Sequence, residues 1–518
     1  MPVLRMPGLR LVAPRLLALF VVAGCAVGPS YKRPQVDVSP AWRAPSQSED
    51  SVRSFFDSLA SGKNLIAPPT AAKADTPSGG ATVRRSDWRA SYETRPLDAS
   101  IGVSWAELIK DPALQALIDT AVRNNREVHV AIATIAEFRA KYGVAKGAYY
   151  PQINGVVNAG REKVVFVPGQ SNAFNAIQVT ANLQWELDFW GRLRRNGQAA
   201  RAEYLASEEG RKSVVLTLVS EVASAYLQLR ELDLDLEISE RTLASRQQTL
   251  SLALRRYQQG LISELDVRQF ESEVDNSAVS IADFQRQIAQ QENALSVLVG
   301  HSPAPIARGM SLTVVLGTFV LPTELPADLI ARRPDVRQAE GAFVAANARI
   351  GAAQAALFPT VSLSSQYGRQ GDKFNNTFNQ NGEIYQIFGG LSIPLFRGGA
   401  LRSELSAARA RADQARSSYE QATLVARREA EDAFVGVRAS RDQAVAQQRQ
   451  VDALRRAFDL ANRRYQNGVS SYLEVLDAER NLFTSELALT KAQREELVSG
   501  VQLYKALGGS WVETPATR

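Results

Sequence analysis

One stretch of this chain occurs twice, and the two occurrences stay in step along their length. Arg256-Tyr257-Gln258-Gln259-Gly260 returns as Arg464-Tyr465-Gln466-Asn467-Gly468. Ser224-Ala225-Tyr226-Leu227-Gln228-Leu229-Arg230 returns as Asp432-Ala433-Phe434-Val435-Gly436-Val437-Arg438. Tyr150-Pro151 returns as Phe358-Pro359, and Gly300 as Gly508, always 208 residues on. Surface loops tolerate drift in length. Long packed helices do not, because one inserted residue turns everything beyond it by about 100° off the packing face. The duplication therefore predicts one matched, long-helix architecture built twice.

Hydrophobic spacing fills in the elements. Val214, Leu218, Val222, Ala225, Leu229, Leu232 and Leu236 recur every three or four residues, the seam of a coiled coil. A helix over roughly 196–258 would run on the order of 95 Å before Gly260. A return helix is expected over 263–298, and the second copy repeats the pair over 402–466 and 471–506, either side of Gly468. An earlier helix runs from Trp105 to Tyr149, with Asp111-Pro112 as cap and first turn. Its later part, about 125–149, nearly makes up the length the return helix lacks, so short helices should stack end to end beside each long one.

Between the helices the period changes to two. Ile177, Val179, Ala181, Leu183, Trp185, Leu187 and Phe189 are apolar, and the residues between them, Gln178 to Asp188, are polar. The second copy alternates more weakly over 361–367 and 385–395. Two strands per copy are expected, about 151–165 and 176–190, then 359–369 and 384–396, joined by polar loops near 166–175 and 370–382. Tyr149, Tyr150, Phe189, Trp190, Phe358 and Phe396 gather where strands meet helices. That placement favours a membrane barrel with an interfacial aromatic girdle over a half-solvated soluble sheet. Val179, Leu183 and Leu187 would then face lipid, and Thr180, Gln184 and Glu186 the lumen.

The N-terminus reads as a leader. Arg5, Arg10 and Arg15 precede the apolar run Leu16 to Val22, and Val22-Ala23-Gly24-Cys25 follows. Small residues before a cysteine at that point resemble the bacterial lipobox, which implies lipid on Cys25. Ala26 resembles the second residue of lipoproteins sent to the outer membrane. Cys25 is the only cysteine, so no internal disulfide forms. No interior stretch reaches 18 consecutive apolar residues, as a membrane-spanning helix requires. The formal charge of +6 is spread over mixed-sign helices. Pairs such as Arg255-Arg256, Arg427-Arg428 and Arg463-Arg464 are read as solvated faces, not a nucleic-acid patch. Only His129 and His301 are present, without metal-ligand spacing, and no phosphate loop or nucleophile elbow occurs. No enzyme, cofactor or metal site is expected.

The expected divisions are a leader over 1–24, a lipidated arm and Ser/Pro-rich linker over 25–104, a first repeat over 105–300, a linker over 301–326, a second repeat over 327–508 and a tail over 509–518.

Gly24-Cys25-Ala26-Val27-Gly28-Pro29 with Tyr31-Lys32-Arg33-Pro34, Asp111-Pro112-Ala113-Leu114, Phe189-Trp190-Gly191-Arg192, Arg332-Arg333-Pro334-Asp335-Val336-Arg337 and the paired Arg-Tyr-x-x-Gly segments together resemble the outer membrane factor family. These are TolC-like channel-tunnels, and the match is to their lipoprotein branch in drug-efflux systems (NodT-type). The Ser/Pro-rich stretch at about 46–100 departs from that pattern. The resemblance implies a mixed α/β membrane protein: a homotrimer with a 12-stranded outer-membrane β-barrel continued by a long α-helical periplasmic barrel. Each chain would supply two repeats of four helices and two strands. It implies an exit duct for small molecules, with a periplasmic adaptor, an inner-membrane transporter of the RND type and outer-membrane lipid as partners. The implied gate and adaptor contact lie at the hairpin tips: Arg256, Tyr257, Gly260, Arg464, Tyr465 and Gly468. An acidic residue expected two positions after the second tip glycine is Ser470 here, leaving Glu474 or Asp477 as candidates for an acidic constriction. A periplasmic tether would need no amphipathic strands. Protein secretion on the same fold stays open as an alternative.

Overall fold

The structure is a computed structural model that describes residues 27–34, 109–167, 170–318, 327–378 and 382–509. Cys25, the leader, Trp105, most of the 25–104 segment and nearly all of the 509–518 tail lie outside the described residues.

The first half begins with helices α1 (Pro112–Asn124) and α2 (Arg126–Gly147). This corrects the single helix expected over 105–149. Asn125 leaves the helical conformation (φ −62°, ψ 133°), and its side chain accepts from the Glu127 and Val128 amides to cap α2. Asp111 caps α1 through the Ala113 amide at 2.9 Å. Strands β1 (Gln152–Val167) and β2 (Gln170–Leu187) follow, then the long hairpin α3 (Arg192–Gln258) and α4 (Glu264–Val299). A short helix α5 (Leu312–Thr318) lies within the stretch expected to be plain linker. The second half comprises a 3₁₀ turn (Ala327–Arg332), α6 (Pro334–Ala355), β3 (Thr360–Gly371), a single helical turn α7 (Phe374–Thr377), β4 (Glu383–Ser392), and a second hairpin of α8 (Ala400–Gln466) and α9 (Tyr472–Ala506).

Both long helices have 67 residues, about 100 Å each, and the return helices have 36 and 35. The glycines that start and end them take left-handed backbone in matched pairs: Gly191 and Gly399 at φ 82° and 83°, Gly260 and Gly468 at 72° and 73°, Gly300 and Gly508 at 85° and 86°. Only glycine adopts that region without steric cost. The halves differ at their starts, and α7 has no counterpart between β1 and β2 among the described residues. Where the first has α1, the second has the 3₁₀ turn, so the described second half carries three long helices and not four.

End-to-end stacking appears in both halves. The Asn125 amide donates to the Leu298 carbonyl at 2.8 Å, and Gly300 lies against the Asn124 backbone. At the corresponding place Gly508 lies on Arg333 and Pro334. The main apolar core surrounds α3 between Val215 and Leu229, where α1, α4, α5 and the end of α9 converge. The coiled-coil seam read from the sequence widens there into burial on several sides.

The four strands make one antiparallel sheet in the order β1-β2-β3-β4, so β1 and β4 are open edges. Its register sorts the two faces. Ile153, Leu183, Ser365 and Ile387 lie in one cross-strand row, Gly155, Ala181, Tyr367 and Tyr385 in the next. On the opposite face Asn154, Asn182, Gln366 and Gln386 form a row of amides across all four strands. Strand limits differ from expectation in two places. The β1-β2 ladder continues through 170–175, which composition had marked as loop. β2 stops at Leu187 because Asp188 turns to receive the Leu193 and Arg194 amides at 3.0 and 2.8 Å, capping α3. β4 stops at Ser392, since Pro394 offers no ladder donor.

Candidate gate and seam of the helical hairpins

The two tips share a sequence and a backbone. Each closes with a hydrogen bond from the residue after the glycine back to the arginine carbonyl: Leu261 to Arg256 and Val469 to Arg464, both 2.9 Å. This is the left-handed helix stop that glycine permits. Their surroundings differ. Tyr257 is 43% exposed, whereas Tyr465 is 5% exposed. Tyr465 packs with Tyr472, Phe270, Ala253, Val475 and Leu476 in a small core shared by both hairpins. The Arg256 guanidinium lies 4.5 Å over the Tyr465 ring and reaches the Gln466 carbonyl at 3.4 Å. The matched arginine, Arg464, faces Glu474 instead at 3.8 Å. Asp477 is exposed and accepts from Asn481 at 3.3 Å. The Tyr465 and Ser470 hydroxyls are buried without a hydrogen-bond partner among the described residues.

Above the tips, α9 runs along α3, and their contact is a polar seam. Arg246 is 5% exposed on α3. It meets Glu273 of α4 at 3.1 Å and Glu479 of α9 at 3.8 Å. Arg480 closes on Glu273 from the other side. About two turns further along α9, Arg241 and Arg455 both bond Glu486 at 2.7 Å. Higher still, Thr490 donates toward Asp235, and Arg494 pairs with Glu231. Burial raises the Glu479 and Glu231 carboxyls above the ordinary range against the pull of these arginines, and pushes Asp235 up to about 7. None of these residues was singled out from the sequence. The signal that could have found them lies in the repeat: Arg246 aligns with Leu454, Glu273 with Asn481 and Arg480 with Ser272. A charge that replaces an apolar or neutral partner in a matched helix invites a burial question.

At the other end of α3 the aromatics tie strands to helices. Trp185 donates to the Tyr149 carbonyl at 3.0 Å, and Trp190 to the Pro359 carbonyl at 2.7 Å. The Trp190 ring stacks on Phe358 at 4.9 Å. Arg192 forms a two-pronged pair with Glu186 at 2.9 and 2.6 Å. Phe189 is half-buried, Tyr150 is exposed, and Phe396 is 88% exposed. The N-terminal arm starts here: the Val27 amide bonds the Trp190 carbonyl at 3.0 Å. It then runs along the helices, with Tyr31 donating to Glu340 at 3.1 Å and Arg33 to Glu340 and Tyr419 at 2.8 and 3.1 Å.

No helix among the described residues is long and apolar enough to cross a membrane. A sheet with one apolar and one amide-lined face, set on hairpins of about 100 Å, defines a protein of the channel-tunnel class. The profile described as "Outer membrane efflux protein" matches residues 117–301 and 325–509, again 208 apart. The chain belongs to the outer membrane efflux protein family. It is 33% identical over 501 residues to the solvent efflux pump outer membrane protein SrpC of Pseudomonas putida, covering 96% of this chain and 97% of that one. It is 34% identical over 411 residues to the cation efflux system protein CusC of Escherichia coli, covering 79% and 88%. A crystal structure of CusC superposes with a TM-score of 0.74 at 32% identity, covering 80% of this chain and 98% of the other. The protein is a transport conduit of the outer membrane with a helical region in the periplasm, and its work is not catalytic.

Proposed function

We propose that three copies of this chain form the exit duct of a tripartite efflux system, receiving small molecules from a periplasmic adaptor and an inner-membrane RND-type transporter. The observation that carries this reading is the open sheet. Its edge strands β1 and β4 have 16 and 10 residues, and unpaired strand edges are not tolerated in lipid. Four strands do not close a barrel, and three copies would supply twelve. The apolar rows would face lipid, and the amide row through Asn154, Asn182, Gln366 and Gln386 would line water.

Cys25 would carry the lipid, placing this chain in the lipoprotein branch. Val27 is held at the Trp190 carbonyl, where strands give way to helices, which supports an anchor near the bilayer surface. The aromatics at this level would sit in the headgroup region. Intact-mass analysis of membrane-extracted protein should find acyl groups on residue 25, and an unmodified N-terminus elsewhere would refute the anchor.

The gate would be the second hairpin swinging from the first at the tips. Small rotations of helices this long give large tip displacements. The buried, unpartnered Tyr465 and Ser470 hydroxyls make the packed tip less costly to leave. An adaptor opens such a gate only by binding the open state better. The relatives named for solvents and for cations share this duct, so selection among exported molecules would rest with the transporter.

The test of the barrel is a pair of neighbouring substitutions. Leu183→Arg should impair assembly by about 2–4 kcal/mol at mid-bilayer, and Gln184→Arg should be tolerated. Equal behaviour would remove the lipid-facing assignment. Deleting the gene should sensitise the host to some exported compounds, and tip cross-linking should capture an adaptor.

A further inference from the structure

Asp235 is a carboxyl at the contact between the two hairpins that the conduit reading leaves without a role. It lies on α3, 6% exposed, against α9. Its side chain meets the Thr490 hydroxyl, and that hydroxyl also lies 2.8 Å from the Leu487 carbonyl. Thr490 has one proton and two acceptors in reach. If Asp235 is ionised, the proton goes to the carboxylate, and the Leu487 carbonyl keeps its helical amide partner within α9. If Asp235 is protonated, it donates to Thr490 Oγ1, which donates onward to Leu487, and every partner is satisfied. Thr490 thus accommodates either form, and its bond to the carboxylate favours ionisation against the larger, opposing effect of burial.

The charges around it are mixed, Glu231 disfavouring ionisation and Arg494 favouring it, and they do not offset burial. No ion pair reaches Asp235 among the described residues. The charged groups acting on it are Glu231 of its own helix, which disfavours ionisation, and Arg494 of α9. Arg494 is paired with Glu231 and lies 3.6 Å from Glu495. On α4, Asp283 and Arg286 pair with each other at the surface, and on α8 Arg441 acts on Glu496. Burial against α9 raises the carboxyl to about 7.

We propose that Asp235 is a proton-sensitive latch that holds the second hairpin against the first when protonated and loosens the seam when ionised. The sign follows from linkage. A hydrated Asp235 in a parted seam titrates near the ordinary value of about 3.9, below its packed value. The packed state is therefore fully favoured in acid and loses that advantage as pH rises from about 4 to about 7. The seam lies on the periplasmic side, so the latch would tighten when the surroundings of the cell turn acid. Glu479 and Glu231 are shifted the same way and add to the effect.

The link from seam to conduction rests on the gate proposed above, so two readouts are needed on the intact trimer between pH 5.0 and 8.0. The first is hydrogen exchange of α9 around 486–494, corrected for intrinsic exchange rates. Protection should fall with rising pH by on the order of tenfold, each unit between the two pKa values contributing up to a factor of ten. Asp235→Asn, which is always neutral, should lose the greater part of that fall, while Thr490→Ser, which keeps the hydroxyl, should retain it. The second is conductance in a planar bilayer, expected to rise over the same range in the parent and to be flatter in Asp235→Asn. Unchanged exchange across the range, or an Asp235→Asn profile matching the parent, overturns the latch. If Asp235→Asn does not assemble, the parent and Thr490→Ser exchange profiles decide, and a flat parent profile or a rise in protection with pH rejects it. Exchange that follows pH with a flat conductance sustains the latch and rejects the gate.

Discussion

The two hairpin tips carry nearly the same five residues and end in glycines one degree apart in φ, yet they do different work. The first tip stands on the surface. Tyr257 is exposed, and Ser263 and Asp266 cap α4 reciprocally, with the Ser263 amide bonding Asp266 at 2.9 Å. The second tip is part of a core. Tyr465 and Tyr472 are buried on Phe270 and under Arg256, and Ser471 makes no side-chain cap bond. Duplication conserved the local instruction, which sets where a helix stops. It did not conserve the surroundings, because within one chain the start of α9 packs on the first hairpin. The lesson is that a repeat fixes backbone, while the role of a repeated side chain depends on which neighbour it meets.

The largest test of that asymmetry is the buried cluster. Arg246→Ala would leave Glu273 and Glu479 buried without this guanidinium, and should cost about 3–5 kcal/mol. Its repeat counterpart, Leu454→Ala, at a half-buried site, should cost about 2 kcal/mol or less. Denaturant midpoints of the two variants would show the gap, and equal midpoints would break the comparison. Capping gives a smaller contrast. Ser263→Ala removes half of a reciprocal cap and should cost about 1 kcal/mol, with Ser471→Ala near neutral; heat resistance of the trimer separates them. Smallest is a pH effect. Glu479 is raised by burial, so its contribution is present below the ordinary carboxylate value and is lost as pH rises through the raised one. Glu479→Gln should therefore stabilise near pH 8 and leave stability unchanged near pH 4. The check is pH-resolved unfolding curves of the variant and the parent.

Much of the fold could be read before any coordinates. Both long helices begin within four residues of the expected starts and end where expected, because coiled-coil spacing and a terminal glycine are local signals. The break at Asn125 was missed, since polar residues on a helix face look like solvent contact until the Asn125 amide is seen to reach Leu298. The ribbon through 170–175 was missed because Gly and Asn mark loops by composition, whereas here the ladder continues as far as Val167 and Gln170. The tip residues were found from the repeat, but the inequality of Tyr257 and Tyr465 was not legible. Nor was the seam of Arg246, Glu273 and Glu479, for charges on a helix say nothing of burial until the partner helix is placed.

The account rests on a gate held shut by the second tip packing on the first. Conductance of the purified trimer in a planar bilayer, compared for the parent, Tyr465→Ala and Tyr257→Ala, addresses it most directly. The parent should conduct poorly, Tyr465→Ala severalfold better, and Tyr257→Ala like the parent, because only Tyr465 is buried between the hairpins. A freely open parent, or two tyrosine variants that conduct alike, would contradict it.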